Sequence, residues 1–235
     1  FGSTPQQAMD MALVATAASF KSRIPFLNIF DGFRTSQELT KVDVIPDDII
    51  RLMIDEEDVS KHRQRALNPE HPMVRGTAQN PDVFFQGREA ANKYYQQAPE
   101  IVLTMMEKLG DLTGRTYKLF EYYGHPEAEQ IIIIMGSGVG PVHEVTDYLN
   151  ARGEKVGYLN IHLYRPFSVS HFIEAIPATV QKIAVLDRCK EPGAIGEPLY
   201  MDTVNALHTG WKMSMPVVIG GRYGLASKEF NAGMV

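Results

Sequence analysis

Ile131-Ile132-Ile133-Ile134 is the stretch that most restricts what this chain can become. A strand with one wet face alternates apolar and polar residues, whereas a central parallel strand is a continuous apolar run. Four isoleucines in a row therefore describe a strand buried on both faces. Met135-Gly136-Ser137-Gly138-Val139-Gly140 follows, and Pro141-Val142-His143-Glu144 opens a helical pattern. Strand, glycine turn and helix are the start of a βαβ unit. The turn makes Gly136, Ser137 and Gly138 a candidate weak anion site at a helix N-terminus. It does not meet the dinucleotide fingerprint. Its glycines stand at i, i+2 and i+4, where G-x-G-x-x-G requires i, i+2 and i+5, and no P-loop Lys follows.

The same pattern repeats downstream. Lys155 to Leu163, Ile183 to Asp187 and Val217 to Ile219 read as strands, and helices are expected after Pro141, after Ser168 and from Pro198 to Leu207. The order β-α-β-α-β-α-β with short links predicts a parallel sheet with right-handed crossovers. Helices then cover both faces, which is a three-layer α/β fold. Cys189 stands between Arg188 and Lys190, cations that favour a thiolate, but no His or Asn is fixed beside it by sequence. His143 and His162 are singletons, read as structural or solvated.

Upstream, Ser3 or Thr4 can cap a helix with Pro5 in its first turn. Pro25-Phe26-Leu27-Asn28-Ile29-Phe30 is expected to be a buried strand, and Asp31-Gly32-Phe33-Arg34-Thr35-Ser36 leaves its carboxyl end. Ligands of open α/β sheets sit at such ends, which makes Asp31, Arg34, Thr35 and Ser36 candidate functional residues. The competing reading is a solvated loop in which Asp31 and Arg34 pair with each other. Lys41 to Ile45 is expected to be a short strand, and Asp47 to cap a helix through Met53. Asp55-Glu56-Glu57-Asp58 reads as a solvated acidic patch, since consecutive helical positions point different ways. Asn68 to Val83 carries three prolines and forms an extended loop. Within it Arg75, Thr77 and Asn80 are candidates to face a neighbouring domain. His62, Glu70 and His71 match no zinc spacing. The chain from Asp82 to Leu112 returns to helix, with Gly110 or Gly114 ending it, and Tyr117 to Tyr123 is a strand or extended linker. The domain boundary is placed after residue 124, giving domains 1–124 and 125–235.

Composition excludes several classes. A net charge of −5 argues against nucleic acid or an anionic membrane as main partner, and no apolar run reaches the ~18 residues of a membrane span. Cys189 is the only cysteine, so neither a disulfide framework nor an iron–sulfur cluster held by this chain's thiolates is available. That fits a reducing, cytoplasmic setting. The N-terminus has neither an initiator Met nor the basic and apolar regions of a signal peptide, and the chain is expected to belong to something longer.

Several motifs carry a family resemblance over nearly the whole length. Phe30 to Ser36, Asn68 to Pro72, Arg75 to Asp82 and Gln86 to Asn92 are the first four. Leu163 to Phe167, Leu186 to Arg188 with Lys190 to Ala194, and Gly221 to Leu225 complete the set. The chain resembles an internal segment of pyruvate:ferredoxin (flavodoxin) oxidoreductase. The resemblance implies a large homodimeric parent enzyme with thiamine diphosphate, Mg, iron–sulfur clusters and coenzyme A as cofactors. Such an enzyme converts pyruvate to acetyl-CoA and CO2 and passes electrons to ferredoxin or flavodoxin. Residues 1–124 then match the end of a thiamine-pyrimidine-binding-type domain. Residues 125–235 match a second domain like the C-terminal domain of transketolase. The family's catalytic Thr, Glu and Arg, its Mg-holding domain and its cluster cysteines have no counterpart here. The resemblance therefore implies no catalytic, cofactor or metal residue in this chain, and a structural, dimer-organising role. Two alternatives stay open: a stand-alone nucleotide- or CoA-binding α/β module, and part of an oxidoreductase for another 2-oxoacid.

Overall fold

The computed structural model describes residues 1–74 and 78–235, and the chain divides into two compact units. One comprises Phe1–Met9, Ile29–Val42 and Lys118–Val235, the other Asp10–Asn28 and Asp43–Tyr117. The division falls inside helix α1 (Pro5–Ser22), whose first turn is capped as expected: the Thr4 hydroxyl accepts the Gln7 N–H at 3.2 Å.

The first unit is built on a five-stranded sheet. Its strands are β1 (Phe120–Gly124), β2 (Gln130–Ile134), β3 (Val156–Ile161), β4 (Lys182–Asp187) and β5 (Val217–Arg222), in the order β1-β3-β2-β4-β5. The isoleucine run is central β2. Ile133 pairs in register with Leu159 on one side and Val185 on the other, and all three are fully buried. Each such side chain contributes roughly 1.5–3 kcal/mol by leaving water. The four strands β2 to β5 are parallel, as the alternating pattern predicts. The fifth, β1, adds an antiparallel edge with Phe120 opposite Ile161, so the sheet is mixed.

The crossovers explain the layers. Helix α7 (Val139–Asn150) carries the chain from β2 to β3, and α8 (Val169–Glu174) and α9 (Pro198–Gly210) carry it the opposite way, to β4 and then β5. Right-handed crossovers running in opposite directions put their helices on opposite faces. Accordingly α8 and α9 pack on each other, while α7 packs on β3 and β1. On the α7 face Ile134, Val139, Val142, Tyr158 and Tyr223 form one buried cluster. Phe172, Leu199 and Leu207 are the large fully buried side chains of α8 and α9.

The second unit is helical. Besides the rest of α1 it holds α3 (Asp47–Met53), α4 (Glu56–Gln64), α5 (Pro81–Ala90) and α6 (Asn92–Thr113); the short α2 (Arg34–Gln37) belongs to the first unit. Gly114, at φ 75°, ends α6 in the left-handed conformation that glycine adopts without strain. Asp10 is fully buried. It accepts a two-pronged ion pair from Arg115 (2.7 and 2.9 Å) and a hydrogen bond from the Tyr117 hydroxyl at 2.7 Å. The acidic run has a local job: the Asp55 side chain accepts the Glu57 N–H and caps α4. Acids in its first turn and Lys61, His62 and Arg63 in its last both suit the helix dipole.

Two expected strands do not form. Residues 25–29 and 41–45 are irregular, and Phe30 makes only an isolated bridge with Gly2. An apolar run becomes a central strand only between two others, and here Gly2 alone pairs with it, so Leu27 stays 87 % exposed. Asp47 likewise sits inside α3, with Pro46 in the capping position.

Candidate functional site

Asp31, Arg34 and Thr35 lie about a hundred residues before Gly136, Ser137 and Gly138, yet the first unit brings the two groups together at the carboxyl end of β2. The chain leaves β2 toward β3 and leaves β4 toward β5, so a crevice opens where the two strands end side by side. A cavity of about 360 Å3 lies there. Ser137 and Gly138 line it after β2, Arg188 after β4, and Tyr223 and Gly224 after β5. Arg34 and Thr35 of α2, Glu38 just after it, and Lys228 also line it.

The glycine turn is a single 3-10 turn over Gly136–Gly138, leading into α7. The first N–H groups of a helix start have no intrahelical acceptor and attract an anion. The anion present is the chain's own. The Ser137 N–H donates a short hydrogen bond to the Asp31 carboxylate, and Arg188 pairs with the same carboxylate at 2.9 Å. Arg188 also donates to the Gly224 carbonyl (3.1 Å) and reaches the Ser137 hydroxyl (3.4 Å). Asp31 thus pairs with Arg188, whereas Arg34 pairs with Glu38 at 3.4 Å on the surface of α2.

Both turn glycines have a physical cause. Gly136 has φ 78°, and a Cβ there would stand 2.6 Å from the Asp31 carboxylate. A Cβ on Gly138 would stand 2.7 Å from both Ile134 and the Tyr223 ring. The close approach that glycine permits is taken by the protein's own groups. Tyr223 donates its hydroxyl to the Met135 carbonyl at 3.1 Å; burial, then the Asp31 charge, pushes its phenol up and keeps it protonated.

The next helix start follows the same plan. Asp187 ends β4 almost fully buried, and its carboxylate accepts the first N–H groups of α9, from Leu199 (2.9 Å) and Tyr200 (3.1 Å). Burial pushes the Asp187 carboxyl up, while these two bonds oppose the shift. Cys189 is a poor nucleophile in this setting. Burial, then the charge of Asp187, raises its thiol, the reverse of what the flanking cations suggest in sequence.

The remaining expected residues are placed as follows. The Ser36 hydroxyl accepts the Phe33 N–H at 3.0 Å, within its own loop. Phe33 has φ 62°, an uncommon conformation for a bulky residue, and Ala226 and Ser227 beside Lys228 share it. Asn80 is exposed at the cap position of α5 and makes no side-chain cap. Arg75 and Thr77 lie outside the described residues. The sequence reading missed Asp187, Tyr223 and Lys228 as members of this edge. Leu186-Asp187-Arg188 did carry a signal, since it leaves a predicted strand just as Asp31 leaves its own apolar run. Among the described residues no three His, Cys, Asp or Glu stand together to hold a metal, and no helix is long and apolar enough to cross a membrane.

Comparison with known proteins places two family models along the chain. Residues 1–107 match the pyruvate flavodoxin/ferredoxin oxidoreductase thiamine-diphosphate-binding model, and residues 128–227 match pyruvate:ferredoxin oxidoreductase core domain II. The pyruvate-flavodoxin oxidoreductase of a Nostoc species is 54% identical over 98% of this chain. The pyruvate:ferredoxin oxidoreductase of Moorella thermoacetica is 54% identical over 98%, and a probable pyruvate-flavodoxin oxidoreductase of Escherichia coli is 52% identical over 96%. In each case the match covers 20% of the relative, so the chain spans about a fifth of these proteins' length.

Proposed function

Because this chain belongs to the pyruvate:ferredoxin (flavodoxin) oxidoreductase family, we propose that it works as one segment of an enzyme that oxidatively decarboxylates pyruvate to acetyl-CoA and CO2. Electrons pass to ferredoxin or flavodoxin. The observation that carries this reading is the pair of family models, matched in order along one chain. In the parent, thiamine diphosphate supplies the electron sink for decarboxylation, with Mg, iron–sulfur clusters and coenzyme A completing the chemistry. Among the described residues no three His, Cys, Asp or Glu are gathered that could hold a metal, and in this reading the steps of the reaction belong to other segments of the parent.

Its role in this reading is architectural. The transketolase-like sheet gives a rigid body for the rest of a cytoplasmic homodimer, and the Asp31–Ser36 and Arg75–Asp82 loops face the neighbouring catalytic domain. Exposed Leu39 and Phe33 beside Arg34 support a covered rather than a free loop. In the complete enzyme, reversing the charge of Arg34 or Arg75 lowers activity or assembly; no change in either measurement would sink the architectural reading. The 235-residue chain alone gives no pyruvate-dependent dye reduction, and detecting such reduction would overturn the assignment of the chemistry to other segments.

A further inference from the structure

The cavity at the carboxyl edge of the sheet keeps binding capacity that the Asp31 pairing does not use. Asp31 neutralises Arg188 and fills the glycine turn, and Glu38 offsets Arg34. Lys228 remains: it is exposed, lines the cavity, and its ammonium has no ion-pair partner among the described residues. The surplus at the cavity is thus one positive charge. Thr35 lines the same cavity at 7 % exposure, and its hydroxyl is buried with no hydrogen-bond partner among the described residues. A buried hydroxyl without a partner is the group that a ligand oxygen would satisfy. The place also suits a ligand. The cavity falls within the ~300–1,000 Å3 of small-molecule sites and lies at the switch point of a parallel sheet.

We propose that this cavity binds the phosphate group of a small molecule, held between Lys228 and Arg34 at the rim and the Thr35 hydroxyl in the wall. A phosphate carries several acceptor oxygens and full negative charge, matching an ammonium, a guanidinium and a hydroxyl that are all donors. It does not sit on the Ser137 N–H, which Asp31 holds. The proposal is independent of the parent reaction, and its failure would leave the family membership untouched.

The test is a thermal-shift and Trp211-fluorescence titration of the 235-residue chain with inorganic phosphate and with ADP, at constant ionic strength. The melting temperature rises with added ligand, and Lys228→Ala and Thr35→Val each weaken apparent affinity about tenfold. Thr35→Ser retains binding, and Lys212→Ala, outside the cavity, changes nothing. A response to ADP alone makes the source a nucleotide ester, and a response to phosphate alone makes it the free anion. No response to either overturns the proposal, as does a response that survives both Lys228→Ala and Thr35→Val. If Thr35→Val does not fold, Lys228→Ala and Lys228→Glu decide the matter, the second abolishing binding.

Discussion

In the sheet-bearing unit Ile133, Ile134, Leu159 and Val185 are fully buried; on α5 of the helical unit Val83, Phe84 and Phe85 stand 59, 53 and 68 % exposed. Neither α4 nor α5 buries a single residue. The contrast follows from how each unit closes. The sheet is assembled by consecutive βα crossovers, so each apolar strand finds its neighbours within a few tens of residues. The apolar run at 25–30 passes from the helical unit into the other without flanking strands. The helical unit's interior is made by buried apolar side chains of α1 and α6, Leu13, Val14, Met106 and Leu109 among them, together with the Asp10–Arg115 pair. A patch of exposed aromatic and aliphatic side chains on a folded protein marks a contact surface, which agrees with a chain that spans about a fifth of its relatives.

Trp211, the only tryptophan, belongs to the sheet-bearing unit, which lets the comparison be broken experimentally. The largest effect is expected from Arg115→Ala. It leaves the buried Asp10 carboxylate without its cation, a loss of about 3–5 kcal/mol. Far-UV dichroism in urea should show helix melting early while the Trp211 transition stays in place; a joint shift would mean that the two units unfold as one. Ile133→Ala is the converse case. It empties part of the central strand's packing at about 2–5 kcal/mol, and should move the Trp211 transition first.

Asp31→Ala comes next, at about 1–3 kcal/mol, because it strips the Ser137 N–H and Arg188 of one shared acceptor. Added acetate should restore part of the loss by entering the vacated anion position. No loss in urea melts would show that the turn does not depend on its internal anion.

A smaller effect tracks pH. Burial, then the nearby N-terminal ammonium, lowers the His162 pKa from 6.5 to about 3. The Glu121 carboxylate, 3.2 Å from the ring, does not reverse this, since burial pushes Glu121 itself up. With the folded pKa below the unfolded one, the unfolded chain takes the proton first. His162 therefore contributes its full stability above about pH 6.5 and loses it as pH falls toward 3. Glu121 works in the opposite sense and blunts the decline. His162→Gln should flatten the acid limb of the Trp211 transition; an unchanged limb would remove His162 as its cause. The smallest effect is expected from replacing Val83, Phe84 and Phe85 with Ser. Exposed positions change stability by no more than about 0.5 kcal/mol each, but light scattering should show less self-association.

Periodicity was enough for the sheet-bearing unit. Continuous apolar runs at 131–134 and 183–186 gave the parallel strands, and the helices between them fixed their direction. The antiparallel β1 was ambiguous because the adjacent Tyr122 and Tyr123 blur the apolar–polar alternation: Tyr123 is exposed and Phe120 buried. The candidate site was half legible. Asp31, Arg34 and Thr35 were recognisable as polar residues following an apolar run, and Gly136 to Gly138 as a helix-opening turn. Nothing local could say that one answers the other across 106 positions.

The sequence by itself determined the βα alternation and the buried central strand, because those rest on residue type and spacing along the chain, and its motifs carried the resemblance to a family. The tertiary structure decided what the glycine turn is for. An anion site on a helix start is empty or filled according to which carboxylate the fold delivers to it. Here Asp31 arrives with Arg188 behind it, and binding capacity moves outward to Lys228 and Thr35.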